Sequence, residues 1–261
     1  MPCLIDTHAH LNDPQFDRDL DQVLSRAWNE GIIAVVTVGY DLKSSERAVE
    51  LAAGYDRIFA AVGIHPNYSS EVTEPGWRRI EDLTSHGKVV AIGETGLDFY
   101  RDFAPPETQQ ASFQKQLELA ERLNLPVIVH SRNAAKECLE IISAVGSPKV
   151  GGVMHCFEGT PDQASNALEL GMYISANGMA TWDNRTDIRE MLKVVPLDRL
   201  LIETDAPYLA PKPIGRKRNE PAHVRHVAEC LAGLFDVTAD ELAERTASNA
   251  IKLFIMSGAT K

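Results

Sequence analysis

Short apolar runs rich in β-branched residues alternate along this chain with stretches whose apolar positions recur every three to four residues, the periods of strands and helices. Residues 5–10, Ile-Asp-Thr-His-Ala-His, read as a first strand, and 17–30 as a helix with Leu20, Val23, Leu24 and Ala27 on its buried face, ended by Gly31. Strands follow at 32–38 and 58–62, separated by a helix at 44–53, and the second of them runs on to His65. Ile80 and Leu83 mark a third helix; a fourth strand at 89–93 delivers Glu94, and a long helix spans 106–123. Residues 126–129 deliver His130 ahead of a helix at 134–144, and Val153-Met154 deliver His155. Thr160-Pro161-Asp162-Gln163 has the makings of a capping box that opens the next helix. A seventh strand at 173–176, a helix at 188–195 and an eighth strand at 200–202 lead to Glu203 and Asp205. Helices at 222–235 and 238–254 finish the chain, the last with a Thr238-x-x-Glu241 box.

Eight strands, continuous in apolar residues and nearly all followed by a helix, describe an α/β protein whose parallel sheet is buried on both faces. At this length a closed (β/α)₈ TIM barrel forming a single domain over 1–261 is the expected fold, with a doubly wound open sheet as the alternative. In a barrel all strand ends meet at one mouth. Residues far apart in sequence at the ends of strands one, four, five, six and eight then converge.

Composition adds exclusions. Hydrophobic residues make up 44% and charged residues 24% of the 261, the balance of an ordered soluble protein. No segment approaches ~20 consecutive apolar residues and no cationic, apolar leader opens the chain, so a cytoplasmic protein without a membrane partner is expected, as a monomer. Cys3, Cys138, Cys156 and Cys230 are scattered without CxxC spacing and are expected to be buried free thiols. A net charge of −11 excludes a generally nucleic-acid-coating surface. It does not exclude a nuclease, because bound cations and a local basic patch reverse the sign where it matters.

Candidate chemistry begins with His8 and His10. Side chains alternate along a strand, so both project to one side and can close on a single ion, although an isolated pair of this kind also suits a solvated strand end. Glu94, His130, His155 and Asp205, each at the end of a later strand, complete a set of four histidines and two carboxylates that suits Zn²⁺, Mn²⁺ or Mg²⁺. Such a set exceeds the three ligands usual for one catalytic zinc, so two divalent ions are expected, with Glu94 placed to bridge them. Metal coordination brings the pKa of water to about 7, which provides a hydroxide nucleophile at neutral pH, and Asp205 is a candidate for taking up its proton.

These residues carry a resemblance. Asp-Thr-His-Ala-His-Leu at 6–11, Gly-Ile-His-Pro at 63–66, Gly-Glu-Thr-Gly-Leu-Asp at 93–98, His-Ser-Arg at 130–132, His-Cys-Phe-x-Gly at 155–159, Glu-Thr-Asp-Ala-Pro-Tyr-Leu at 203–209 and Arg-Asn-Glu-Pro at 218–221 resemble the TatD family of metal-dependent deoxyribonucleases, within the amidohydrolase superfamily. The resemblance covers the whole chain. It implies a (β/α)₈ barrel, His8, His10, Glu94, His130, His155 and Asp205 as ligands of divalent metals, and phosphodiester hydrolysis of DNA. Many members of the superfamily carry a carbamylated lysine where this chain has Glu94.

Other candidates concern the substrate. His65 is placed to touch a phosphate or a metal-bound water, with a backbone-bonded histidine as the alternative. Arg132 is a candidate for bidentate phosphate contact. Lys212, Arg216, Lys217, Arg218 and Asn219 follow strand eight, where a phosphate-gripping lid is expected in place of a merely solvated loop. His86 and His226 read as surface residues, while His223 is left open. The expected substrate is single-stranded DNA or strand ends, which a narrow mouth admits more readily than a duplex. A small-carbonyl amidohydrolase or lactonase is the rival enzyme, for which a basic loop is not needed. A metal-stabilised binding protein is the non-enzymatic rival, and would show a broken ligand set.

Overall fold

The computed structural model describes residues 3–146, 151–254 and 256. Its eight strands are β1 (Leu4–Ala9), β2 (Ile32–Val38), β3 (Ile58–Val62), β4 (Val89–Asp98), β5 (Val127–Arg132), β6 (Gly152–Met154), β7 (Met172–Ala176) and β8 (Leu200–Ile202). They pair in sequence order and all in parallel. The ring closes where Ala9 bridges Ala206, with His10 N donating to Ala206 O at 2.7 Å and Asp205 N to His8 O at 2.8 Å. It is a (β/α)₈ barrel, not an open sheet.

Helices α1 (Leu20–Asn29), α2 (Leu42–Gly54), α3 (Glu74–Leu83), α4 (Pro106–Leu123), α5 (Ala135–Val145), α6 (Pro161–Glu169), α7 (Thr186–Leu192) and α8 (Val224–Phe235) accompany the strands, and α9 (Ala239–Phe254) ends the described fold. Caps account for several boundaries. Asp13 accepts from Gln15 N and opens a 3₁₀ turn at Pro14–Phe16, so α1 starts later than its apolar period suggests. Thr160 and Gln163 form the reciprocal capping box expected of α6.

The core has two layers. Between strands and helices lie residues such as Val35, Val62, Phe113 and Leu117, while Ile5, Ala34, Val36, Ile128, Val153 and Leu201 face the barrel interior. Ala250, Leu253 and Phe254 of α9 pack into that interior beside Phe59 and Val90, near the strand beginnings. Asn249 Nδ2 ties the helix down by donating to the carbonyls of Leu197 and Leu200. With the floor sealed this way, the opposite end, where the strands finish, is left for chemistry. Among the described residues no helix is long and apolar enough to cross a membrane.

Of the cysteines only Cys138 is buried; Cys3 is exposed and Cys156 and Cys230 are intermediate, all four unpaired. The expectation of uniformly buried thiols is corrected accordingly.

Candidate metal centre

Strand β1 ends with His8 and His10 on one side, their Nε2 atoms 3.2 Å apart. Opposite stands Glu94, 3% exposed, and its two carboxylate oxygens face different ways. Oε2 lies 3.6 Å from Nε2 of both His8 and His10, whereas Oε1 lies 2.8 Å from His130 Nδ1 and 2.9 Å from His155 Nε2. Asp205 Oδ1 completes the first side, 3.6 Å from His8 and 3.4 Å from His10. All six residues expected to converge do so. Potential ligand atoms within 4.8 Å of one another form overlapping triplets: His8, His10 and Glu94; His8, His155 and Asp205; Glu94, His130 and His155.

The donor set fits hard or borderline divalent cations. His10 Nδ1 sits 2.9 Å from Val38 O and His155 Nδ1 sits 3.2 Å from Glu203 Oε1, contacts that place the ring proton on Nδ1 and turn the Nε2 lone pair into the cluster. Buried Nδ1 of His8 has no hydrogen-bond partner. The Nε2 atoms of His8, His10 and His155 and Nδ1 of His130, converging on a buried carboxylate, describe a cation site.

Without a cation, protons on the histidines balance the same carboxylates. Burial would raise the Glu94 carboxyl, but the charge of His155 and hydrogen bonds from His130 and His155 hold it well below the usual range. Burial would strip the proton from His155, yet Glu94 and Glu203 hold its pKa well above the ordinary histidine value. His10 and His130 are raised despite burial, by Asp205 and by Asp98 with Glu94 respectively.

Glycines make this geometry possible. The expected end of the fourth strand at Gly93 is wrong, since β4 runs on to Asp98. Gly93 has φ +154° and a Cβ there would meet Ile128 Cβ and O at 2.8 Å; at Gly96, φ +126°, it would meet His130 O at 2.0 Å. Only glycine lets β4 press against β5 this closely while Glu94 swings to the centre. Gly96→Ala is expected to cost on the order of 3 kcal/mol or more and to lower the urea midpoint. An unchanged midpoint would contradict the close approach.

Three carboxylates behind the cluster were not anticipated. Asp6, fully buried, accepts from Thr204 N at 2.9 Å and Thr204 Oγ1 at 2.6 Å, and so ties the histidine-bearing strand to the segment carrying Asp205. Glu203 accepts from Cys156 N at 2.8 Å as well as facing His155. Asp98 Oδ2 lies 3.4 Å from His130 Nε2, and its Oδ1 accepts from Tyr100 N and Arg101 N, each at 2.9 Å. Burial would raise the Asp98 carboxyl, but the His130 contact and these backbone donors bring it to about 2. Strand alternation places Glu94, Gly96 and Asp98 on one side, a signal available once β4 is read through its glycines.

The substrate candidates divide. His65 lines the mouth cavity, with Nε2 3.6 Å from Glu94 Oε1. Its Nδ1 accepts from Asn67 N at 3.1 Å, so the neutral ring carries its proton on Nε2 and is a donor. Burial and the neighbouring His130 push its pKa down to about 3. Arg132 also lines the cavity.

The loop after β8 departs from the expected lid. Arg218 is committed to Asp19 and Glu220 and stacks 4.7 Å over Phe16, and Lys212 Nζ lies 2.6 Å from Asp183. Asn219 is buried and donates to the carbonyls of Thr204 and Tyr208, which makes it a tie within the loop. Arg216 and Lys217 are exposed but do not line the cavity. His223 Nδ1, 2.9 Å from Asn219 Oδ1, belongs to the same tie. Intermediate exposure of His86 and His226 places both near the surface.

Comparison with known proteins bears on the whole chain. A family profile described as TatD related DNase matches residues 5–255. The chain belongs to the TatD family. It is 44% identical over 251 residues to a Bacillus subtilis protein named uncharacterized metal-dependent hydrolase YabD, covering 96% of this chain and 98% of that one. A 3'-5' ssDNA/RNA exonuclease TatD of Enterobacter lignolyticus is 38% identical over 256 residues, covering 96% and 98%. Among solved structures, YjjV, a TatD homologue from Escherichia coli, superposes with a TM-score of 0.92 at 31% identity, covering 97% and 98%. Membership in TatD makes the protein a metal-dependent hydrolase, and the buried His, Glu and Asp cluster is consistent with that.

Proposed function

We propose that this TatD protein is a divalent-metal-dependent deoxyribonuclease that shortens single strands or strand ends. The carrying observation is Glu94, with one oxygen turned to His8 and His10 and the other to His130 and His155, at the floor of an open cavity of about 590 Å³. His8, His10, Glu94, His130, His155 and Asp205 would hold two cations, Zn²⁺, Mg²⁺ or Mn²⁺. Bound there, they supply Lewis-acid activation of a phosphodiester and of water.

The chain's own groups do the rest. Asp205, at the cavity wall, takes the proton released as water attacks phosphorus. His65 donates from Nε2 to a non-bridging phosphate oxygen, its tautomer held by Asn67 N. Glu203 keeps the His155 ring oriented by accepting from Nδ1. Arg132, exposed and without an ion pair among the described residues, pairs with a phosphate beside the scissile bond. That free guanidinium favours a phosphodiester over the small carbonyl substrate of the rival reading, which the loop after β8, with its committed Lys212 and Arg218, no longer separates. The exonuclease name of the relative at 38% identity supports the same choice.

The metal-loaded protein should shorten 5'- and 3'-labelled single strands and leave a panel of esters and lactones intact. The reverse pattern would replace the nuclease reading with the carbonyl one. Chelator treatment should abolish hydrolysis, and added Mg²⁺, Mn²⁺ or Zn²⁺ should restore it. Full activity after dialysis against excess chelator would rule out the mechanism.

A further inference from the structure

Four large apolar side chains stand exposed among the described residues, and three of them surround the mouth: Phe103 at 67%, Tyr100 at 57% and Tyr208 at 49%. Tyr208 is engaged through its hydroxyl, which donates to Asp13 Oδ2. Tyr100 and Phe103 have no such commitment, yet their loop is tightly held. Phe99 N donates to Arg132 O at 2.9 Å, Asp98 accepts from the next two backbone N–H groups, and Gln109 Nε2 donates to Asp98 O and Ala104 O. Exposure here is built, not a consequence of slack.

Two guanidinium groups share the rim. Arg132 lies 4.1 Å over the Tyr100 ring, and Arg101 lies 5.4 Å from Tyr100 and 6.0 Å from Phe103. Neither side chain has an ion pair among the described residues. By contrast Arg185, Lys212 and Arg218, after β7 and β8, are all paired with carboxylates. Arg101, Phe103 and Arg132 line the same cavity as Glu94 and Asp205, while Tyr100 and Arg132 line an adjoining groove of about 550 Å³. The groove's acidic groups are Glu137 and Glu158, and Glu158 is paired with Arg185, which it shares with Asp187. In a chain of net charge −11, the free positive charge at this edge of the mouth complements a polyanion.

We propose that Tyr100, Arg101, Phe103 and Arg132 form a stacking platform for an unpaired base near the scissile phosphate of a single strand. The proposal rests on the polynucleotide reading above and adds to it the means of choosing single strands. Aromatic faces alternating with cations match the alternation of bases and phosphates, and they do so without reading sequence. A duplex keeps its bases stacked inside and has none to offer. Because the loop is already ordered by Asp98 and Gln109, binding a base there costs little further ordering.

The test uses the full chain in chelator, so that binding is read without hydrolysis, and a short oligothymidine carrying a fluorescent label. Anisotropy gives Kd for the wild type and for Tyr100→Ala with Phe103→Ala; 2-aminopurine placed successively along the strand reports stacking by quenching. The double variant should bind on the order of tenfold more weakly or worse, and quenching at one position near the strand end should vanish. An abasic nucleotide at that position should weaken wild-type binding comparably and leave the variant nearly indifferent. The wild-type half of this arm needs no variant, and Phe103→Ala alone serves for the comparison if the double variant is unstable. Equal Kd values, or an abasic penalty of the same size in both proteins, would overturn the platform while leaving the nuclease reading intact, provided the metal-loaded wild type still shortens labelled strands. A wild type that hydrolyses esters or lactones and neither binds nor cuts the strand would overturn both.

Discussion

Asp205→Asn is expected to lower kcat by on the order of a hundredfold or more while the barrel stays folded. The substitution keeps side-chain volume, and the backbone bond from Asp205 N to His8 O that helps close the barrel is untouched. What it removes is a negative charge 3.4 Å from His10 and 3.6 Å from His8, together with the group proposed to accept the proton from water. Measuring bound metal by mass spectrometry beside single-turnover rates separates the two losses. Full metal occupancy with a depressed rate identifies the proton acceptor, and lost occupancy identifies the ligand. A kcat equal to wild type at equal metal content would remove Asp205 from both roles.

Much of the barrel was legible because its strands are continuous apolar runs, and β2, β3 and β8 fall where those runs fall. The six converging residues were legible for a related reason: in a parallel barrel the end of a strand is a place, and polar residues that end apolar runs share it. Strand β4 misled because Gly93 and Gly96 resemble a strand terminator by propensity. In the structure they are where the backbone of β5 comes too near for any Cβ, and Asp98 was hidden behind that reading.

The loop after β8 misled differently. A run of lysine and arginine shows charge but not its partner, and Arg218 finds Asp19 199 residues away in sequence. Exposed aromatics are equally mute. Nothing in residues 99–103 distinguishes Tyr100 and Phe103 from core residues until Asp98 and Gln109 are seen to hold the loop outward. Local pattern thus reports the scaffold and its strand ends, whereas the pairing of surface charges depends on tertiary contacts that no local period encodes.

Glu94→Gln should be the more severe change, with activity reduced on the order of a thousandfold, beyond the roughly 10–100-fold typical of losing an outer partner of a metal ligand. Both oxygens are in use, so no neighbouring carboxylate can take over one side without abandoning the other. The variant also has a signature without metal. In chelator, the depressed Glu94 pKa means its contribution to stability is present above the ordinary 4.5 and is lost as pH falls through the folded value. The raised pKa of His155 means its contribution is fully present below the ordinary 6.5 and is lost as pH rises through its folded value. Wild type should therefore exceed the variant most between 4.5 and 6.5, where carboxylate and imidazolium coexist. At higher pH the imidazoles become neutral and leave a buried carboxylate without counter-charge, so the advantage should shrink and then reverse. Urea denaturation of both proteins across pH measures this directly. An advantage that grows steadily with pH would mean that Glu94 is not held by its histidines, and the charge arrangement proposed to receive the cations would be wrong.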